Sequence, residues 1–316
     1  MTKKKLALVL GATGGIGGTV ARTLLARGWR VRAMGRDAVG AAKKLPAYEW
    51  VQGDAMNAAD VLAAAQGAEV IVHAVNPPGY KDWETLVVPM LDNTIAAAKA
   101  VGARIVFPGT VYNFGPNAFP TLRETSPQNP KSKKGALRVE MERRLEAVSS
   151  DVQVIIVRCG DYFGPNAASN WFSAAMVKPG QKVSTIRNPG YRGVGHQWAY
   201  LPDVAETMVR LLERASELPA FAVYHMDGFF DADGTELAAA IARVAGNGAK
   251  VKPFMWWIVP IAAPFVTFMR EVKEMRYLWR ESLRMSNDRL LSALGEEPHT
   301  PIDEAVRTTL ASLGCI

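Results

Sequence analysis

The sequence predicts an α/β fold, a doubly wound parallel sheet with a smaller C-terminal lobe, on three observations. Apolar runs of strand length alternate with helical stretches through the first half of the chain, a glycine-rich loop joins the first run to the first helix, and the alternation stops after Gly164-Pro165. Such alternation is what a parallel sheet covered by helices on both faces requires.

The strand-like runs are Leu6 to Leu10, Arg30 to Met34, Trp50 to Gln52, Val70 to Val75, Arg104 to Phe107 and Val152 to Val157. Between them, Ile16, Val20 and Leu24 recur at a spacing of four on one helical face, and Gly28 ends that helix. An Ala-rich stretch from Ala58 to Gln66 ends at Gly67, a longer helix covers Trp83 to Ala100 despite Pro89, and a fourth spans Gly135 to Ala147 with Leu137, Met141 and Leu145 on one side. Loops rich in Asn, Pro and Gly then take over, so residues 169–316 are expected to form mainly a substrate-binding lobe, with segments near 195–225 returning to the first domain. In that half a helix from Asp203 to Arg214, capped by Asp203 with Glu206 three residues on, a strand from Phe221 to His225 and a helix from Thr235 to Val244 are expected.

Composition narrows the function classes. Hydrophobic residues at 49% and charged residues at 21% are ordinary for a folded protein, so disorder is not invoked. A net charge of +7 favours anionic ligands such as a phosphorylated cofactor. The densest basic clusters, Lys3-Lys4-Lys5 and Lys131-Ser132-Lys133-Lys134, carry no aromatic ladder, which argues against nucleic acid. Cys159 and Cys315 are the only cysteines, which fits a reducing cytoplasm and no disulfide framework. Leu6 to Leu10 is too short for a secretory apolar core. The most apolar stretch, residues 253–266, is interrupted by Pro253, Pro260 and Pro264 and falls short of a spanning helix. It is expected to pack in the core or against another subunit, with a homodimer left open, or else to touch a membrane surface near Arg270, Lys273 and Arg276. No cluster of His, Cys and carboxylates has metal-ligand spacing, so no metal is expected.

The loop Gly11-Ala12-Thr13-Gly14-Gly15-Ile16-Gly17 stands between an apolar strand and an amphipathic helix, the context that makes a glycine pattern specific for a dinucleotide. The first glycine permits the tight turn, the second lets backbone N–H groups approach a pyrophosphate, and the third lets strand and helix pack closely. Residues 1–168 are therefore expected to be an NAD(P)-binding Rossmann domain. The Gly-x-x-Gly-x-x-Gly spacing resembles the short-chain dehydrogenase/reductase superfamily. Thr110-Val111-Tyr112 with Gly115-Pro116, Arg158-Cys159-Gly160-Asp161-Tyr162-Phe163-Gly164-Pro165 and the tail from Met285 to Pro301 resemble its extended branch, the NAD-dependent epimerases and dehydratases. The resemblance implies that Asp54 and Ala55, after Gly53, lie at the adenine and that His73, Ala74 and Val75 run beside the cofactor. At the end of the second strand, Arg36 is placed to meet a 2′-phosphate, with Arg32 as a second candidate, so NADP is favoured; Asp37 keeps NAD open.

The resemblance also implies a catalytic tyrosine, a lysine four residues later and a nearby hydroxyl, because a phenol with a pKa of about 10 needs help to act as a base at neutral pH. No tyrosine lies between Tyr112 and Tyr162, and the matching position falls from Pro130 to Ser132. Lys134, or Lys133, takes the lysine position. Thr110 is the candidate hydroxyl, because Pro108 stands where it would be expected. Tyr112 is the candidate displaced acid, with Tyr162 a weaker one, and His196 is read as an interface or substrate-facing histidine. Two readings follow: an NAD(P)-dependent oxidoreductase or epimerase/dehydratase acting on a carbonyl, an alcohol or a nucleotide sugar, with a non-standard proton donor, and a non-catalytic NAD(P)-binding redox sensor.

Overall fold

The computed structural model describes residues 4–77, 82–167, 170–246 and 248–316. Lys3 and the domain boundary expected at residue 168 lie outside the described residues. In chain order the strands are β1 (Leu6–Leu10), β2 (Arg30–Gly35), β3 (Glu49–Gln52), β4 (Val70–His73), β5 (Arg104–Thr110), β6 (Thr121–Leu122), β7 (Val154–Cys159), β8 (Asp161–Phe163), β9 (Thr185–Asn188), β10 (His196–Tyr200), β11 (Phe221–His225), β12 (Phe229–Asp231), β13 (Lys250–Pro253) and β14 (Arg284–Met285). The helices are α1 (Gly15–Ala26), α2 (Ala38–Lys44), α3 (Ala58–Ala65), α4 (Trp83–Val101), α5 (Lys133–Ala147), α6 (Leu201–Glu213), α7 (Glu236–Ala245), α8 (Ile258–Ala262), α9 (Thr267–Met275), α10 (Asp288–Leu294) and α11 (Ile302–Ser312).

Seven parallel strands form the main sheet in the order β3-β2-β1-β4-β5-β7-β11. Its central strands β1, β4, β5 and β7 are buried along almost their whole length because both faces are covered, whereas the edge strand β3 exposes Glu49 and Gln52. In β1, Ala7 and Val9 join a core with α1 and α6, while Leu6, Leu8 and Leu10 join the opposite core with α3, α4 and α5. Strand order reverses between β1 and β4, the point at which open α/β sheets leave a crevice at the carboxyl ends of their strands. β5 continues to Thr110 rather than ending at Phe107. Its pairing with β4 stops at Val106 while its pairing with β7 runs on to Thr110, so Pro108 has no neighbour to satisfy on the β4 side. β4 ends at His73, short of Val75, where the chain turns over the glycine loop. β7 is displaced two residues from the expected run and ends at the buried Cys159.

α6 begins at Leu201, with Pro202 in its first turn, so Asp203 is not its cap. The Asp203 carboxylate instead accepts the backbone N–H and the hydroxyl of Thr300, tying the C-terminal segment to the start of α6. α6 packs on α1, and β11 closes the edge of the main sheet. The rest of the second half builds a smaller three-stranded sheet, β12-β10-β8, and a core of Phe163, Phe172, Trp198, Trp256 and Trp279. In the 253–266 segment, Trp256 and Val259 are buried against this core and Ala263 is buried as well, but Trp257, Ile261 and Phe265 are exposed. One face of the segment therefore packs in the core as expected, and the other is exposed. Among the described residues, no helix is long and apolar enough to cross a membrane.

One buried ion pair fastens α5 to the main sheet. Arg158, near the end of β7, meets Glu142 of α5 at 2.5 Å, with both side chains only 3% exposed. The same guanidinium lies 3.2 Å from His225 Nε2, and Glu124 accepts the backbone N–H of His225 at 2.9 Å. Removing one partner leaves an uncompensated buried charge, so Glu142→Ala is expected to lower the unfolding free energy by about 3–5 kcal/mol in urea titrations.

Candidate active site at the sheet crevice

The glycine loop sits in the crevice because β1 and β4 are neighbours whose last residues, Leu10 and His73, stand side by side. Gly11 has φ of 89°, and a Cβ there would lie 2.4 Å from Ala74 O. A Cβ at Gly17 would lie 2.3 Å from Gly11 O. Both positions therefore exclude a side chain, and the loop folds flat against Ala74 and Val75. α2, α3 and α5 are capped by the side chains of Asp37, Asn57 and Ser132, but α1 starts at Gly14 with no side-chain cap and no acid in its first turn. Its first N–H groups and the positive end of its dipole are left for an anion, and the cradle of Gly11, Thr13, Gly14, Gly15, Ile16 and Gly17 fits a pyrophosphate.

Residues at the ends of β2 and β3 divide the candidate ribose and adenine contacts. Arg36 is exposed and its guanidinium has no partner among the described residues. Asp37 caps α2 by accepting the N–H of Gly40 at 2.9 Å. Arg32 points elsewhere: it pairs with Glu49 and donates to the carbonyls of Ala64 and Gln66 at the end of α3, which takes it out of contention for a cofactor phosphate. Asp54 is half-buried beside Ala55, and Asp60 accepts its backbone N–H. His73 offers only its backbone to the crevice. Its ring is buried, lies 2.8 Å from Thr94 Oγ1 and stacks on Phe107. Desolvation, aided by the Arg138 guanidinium, pushes this imidazole down to about 3.

At the carboxyl end of β5 the candidate catalytic residues come together differently from the expectation. Thr110 is buried and its hydroxyl accepts the N–H of Tyr112, capping a short turn of helix. The Tyr112 hydroxyl donates to Asp161 Oδ1 at 2.9 Å, and Asp161 Oδ2 lies 2.9 Å from His196 Nε2. Asp161 and His196 are both buried, His196 stacks on Trp279 with ring centroids 3.7 Å apart, and His196 Nδ1 has no partner among the described residues. The start of α5 presses on this turn, since a Cβ at Gly135 would lie 2.3 Å from Tyr112 O and 2.4 Å from Pro130 Cβ. Lys134 is buried in the same first turn, whereas Lys133 is exposed and pairs with Glu84. Tyr162 donates to Gly109 O at 2.6 Å, and desolvation holds its pKa well above the usual phenol value, so it is a poor acid or base. Burial likewise raises the pKa of the Cys159 thiol and keeps it unreactive.

The Tyr112, Asp161 and His196 chain was not read from the sequence as a unit. Each residue lay in a motif already singled out, but their pairing depends on β8 and β10 lying side by side, a long-range contact with no local signal. That pairing also carries the chain toward the cofactor loop. β8 leads to Ala167, whose Cβ would sit 3.0 Å from a Cβ at Gly15. Asp231, Asp233 and Glu236 also bring carboxylate oxygens within 4.8 Å of one another. Asp231 is already engaged by the first N–H groups of α7 and Asp233 by Thr235, so the group is explained by helix capping.

The family model described as NAD dependent epimerase/dehydratase family matches residues 7–226, the whole crevice and both halves of the hydrogen-bonded chain. The chain belongs to this family. Among solved structures, the UDP-glucose 4-epimerase from Brucella ovis in complex with NAD aligns with a TM-score of 0.76 at 14% identity, covering 98% of each chain. The UDP-glucuronic acid 4-epimerase from Bacillus cereus in complex with NAD aligns at 0.75 and 16% identity, again over 98% of each chain. At such identities these likenesses speak for the family fold. A curated relative from a Streptomyces species, 3-diazoavenalumate denitrifying reductase, is 30% identical over 174 residues, which span 50% of this chain and 56% of that relative.

Two buried histidines flank this site. His73 and His225 are both pushed down to about 3 from 6.5, first by desolvation and then by the neighbouring guanidinium, of Arg138 and Arg158 respectively. The unfolded chain binds protons that the native state refuses, so their stabilising contribution is complete above pH 6.5 and is lost as pH falls toward 3. Urea unfolding between about pH 7 and about pH 5 is expected to show stability falling by up to about 1.4 kcal/mol per pH unit for each histidine. A flat profile in that window would contradict the burial of both rings.

Proposed function

We propose that the protein is an NADP-dependent oxidoreductase or epimerase/dehydratase-like enzyme acting on a carbonyl, an alcohol or a nucleotide sugar, with Tyr112 as the terminal acid or base. The observation that carries this reading is the hydrogen-bonded chain from Tyr112 through Asp161 to His196, which starts at the carboxyl end of β5, the same end of the parallel sheet as the glycine cradle. The cofactor reading rests on the glycine cradle and the family. The choice of NADP rests on Arg36, which has no protein partner among the described residues, and on Asp37, whose carboxylate is engaged as a helix cap.

A nicotinamide dinucleotide held on the glycine cradle would supply or accept hydride at the substrate carbon. Tyr112 is half-buried and forms the outer end of the chain, while Asp161 and His196 lie inside. In the oxidising direction the substrate hydroxyl gives its proton to Tyr112 Oη as the phenolic proton passes to Asp161. The buried imidazole of His196 holds the other carboxylate oxygen and so fixes the orientation of the Asp161 carboxyl. In the reducing direction the same protons return. Thr110 fixes the Tyr112 turn, and Lys134 stands at the start of the helix that packs on it. The Streptomyces relative supports the reductive variant, and the nucleotide-sugar epimerases among the structural neighbours support the alternative substrate class.

A cofactor-binding redox sensor without turnover is the second reading. Pro130, four residues before Lys134 and packed on Gly135, favours it, because this is where an acid–base tyrosine of the family would stand.

Calorimetric titration is expected to show NADPH binding more tightly than NADH, with Arg36→Ala weakening NADPH by roughly 10- to 100-fold, as losing a charged hydrogen bond does, and leaving NADH nearly unchanged. Failure of both nucleotides to bind would remove both readings. With a carbonyl, alcohol and nucleotide-sugar panel followed by mass spectrometry, Tyr112→Phe is expected to lower turnover by about 100-fold or more while cofactor binding persists. Turnover unchanged in that variant would exclude Tyr112, and no turnover of any substrate by the wild type would favour the sensor.

A further inference from the structure

The second lobe carries an apolar surface that the cofactor site does not use. Trp257 is 68% exposed, Ile261 64%, Phe265 88%, Val266 45% and Met255 42%. These residues occupy the turn into α8, the helix itself and the turn after it, with Trp257, Ile261 and Phe265 at a spacing of four on one side. On the opposite side of the same segment Trp256 and Val259 are buried in the lobe's core, and Ala263 is buried too. The segment is thus apolar on both faces, and among the described residues only the inner face is covered by protein. Contiguous exposed apolar residues of this size mark an interaction surface.

The charges around the patch choose the partner. From Leu237 to Arg270 the sequence contains no Asp or Glu, while Lys250, Lys252 and Arg270 are all exposed on the segments that lead into and out of the patch. Lys273, one turn beyond Arg270, is exposed as well; Glu271 and Glu274 share that helix, and Glu274 accepts the backbone N–H of Lys133, so the excess of positive charge is carried by Lys250 and Lys252. A second copy meeting this face across a twofold axis would bring like charges together, since the same patch faces itself in such an interface. An anionic surface would attract them. An apolar helix face with an exposed Trp and Phe, flanked along the chain by exposed lysine and arginine, has the composition of elements that lie in the headgroup region of a bilayer.

We propose that α8 and its flanking turns dock the protein on a membrane surface rich in anionic phospholipid, with Trp257, Ile261 and Phe265 inserted among the acyl chains and Lys250, Lys252 and Arg270 at the headgroups. This docking does not depend on the reading of the cofactor site. It places the bilayer beside the aromatic layer of the second lobe, because Trp256, beneath the patch, contacts Trp171, which in turn packs on Trp279.

Flotation of the full chain with phosphatidylcholine–phosphatidylglycerol vesicles, and with phosphatidylcholine vesicles alone, tests the proposal. Binding is expected to the anionic vesicles, to weaken in high salt, and to fall by about tenfold or more in the Ile261→Glu/Phe265→Glu variant. A Lys250→Glu/Lys252→Glu variant should lose the preference for anionic vesicles. Thermal melting shows whether each variant keeps its fold, as substitutions at exposed positions should. No flotation of the wild type, or flotation untouched by both variants, would overturn the proposal. So would a concentration-dependent dimer, seen by sedimentation, that the Ile261→Glu/Phe265→Glu variant abolishes while the wild type ignores vesicles.

Discussion

The approach of the Gly11 backbone to the carbonyl of Ala74 constrains the whole cofactor end of the molecule. Two parallel strands that exchange hydrogen bonds must deliver their following loops into one narrow space, and here the β1 loop turns under the β4 loop with no room for a Cβ. That contact sets where α1 begins, so it also sets where the free N–H groups of the helix point. The same loop touches Ala167 and Leu201 through Gly15, so the segment following β8 and the start of α6 are placed by it in turn. The hydrogen-bonded chain at Asp161 is positioned from both directions, by β7 below it and by this loop ahead of it.

Buried polar groups in this chain are arranged in two kinds. Arg158, Glu142 and His225 form a cluster that satisfies most of its own donors and acceptors and ties a helix and two strands together. Tyr112, Asp161 and His196 form a line with one end half-buried. Among the described residues His196 and His225 each keep a buried Nδ1 without a partner, so the two groups differ in shape, a closed knot against a line that reaches a half-buried hydroxyl, and not in how fully their nitrogens are paired.

Much of the fold was legible in the sequence because its signals are local. An apolar run of five residues followed by three spaced glycines names both β1 and the loop after it, and the leucine and valine spacing in α1 names its buried face. The ends of elements were less legible. Asp203 has the spacing of a helix cap, yet Pro202 can begin the helix earlier and Thr300, far along the chain, claims the carboxylate. Arg32 and Arg36 look alike in sequence, and only the position of Glu49 and of the α3 carbonyls separates an engaged guanidinium from one without a partner among the described residues. His196 illustrates the limit most clearly, since its contact with Asp161 follows from a strand pairing that no nearby residue announces.

The division of labour between Arg36 and Asp37 bears on how such a protein can change. Adjacent residues at the end of β2 usually answer jointly for cofactor preference, so altering one disturbs the other. Here the carboxylate belongs to the architecture of α2, while the guanidinium beside it serves no architectural purpose among the described residues. Position 37 is therefore held by the need to start a helix, while position 36 answers to no such demand, and under the proposed cofactor reading a substitution there would alter ligand choice without touching the start of α2.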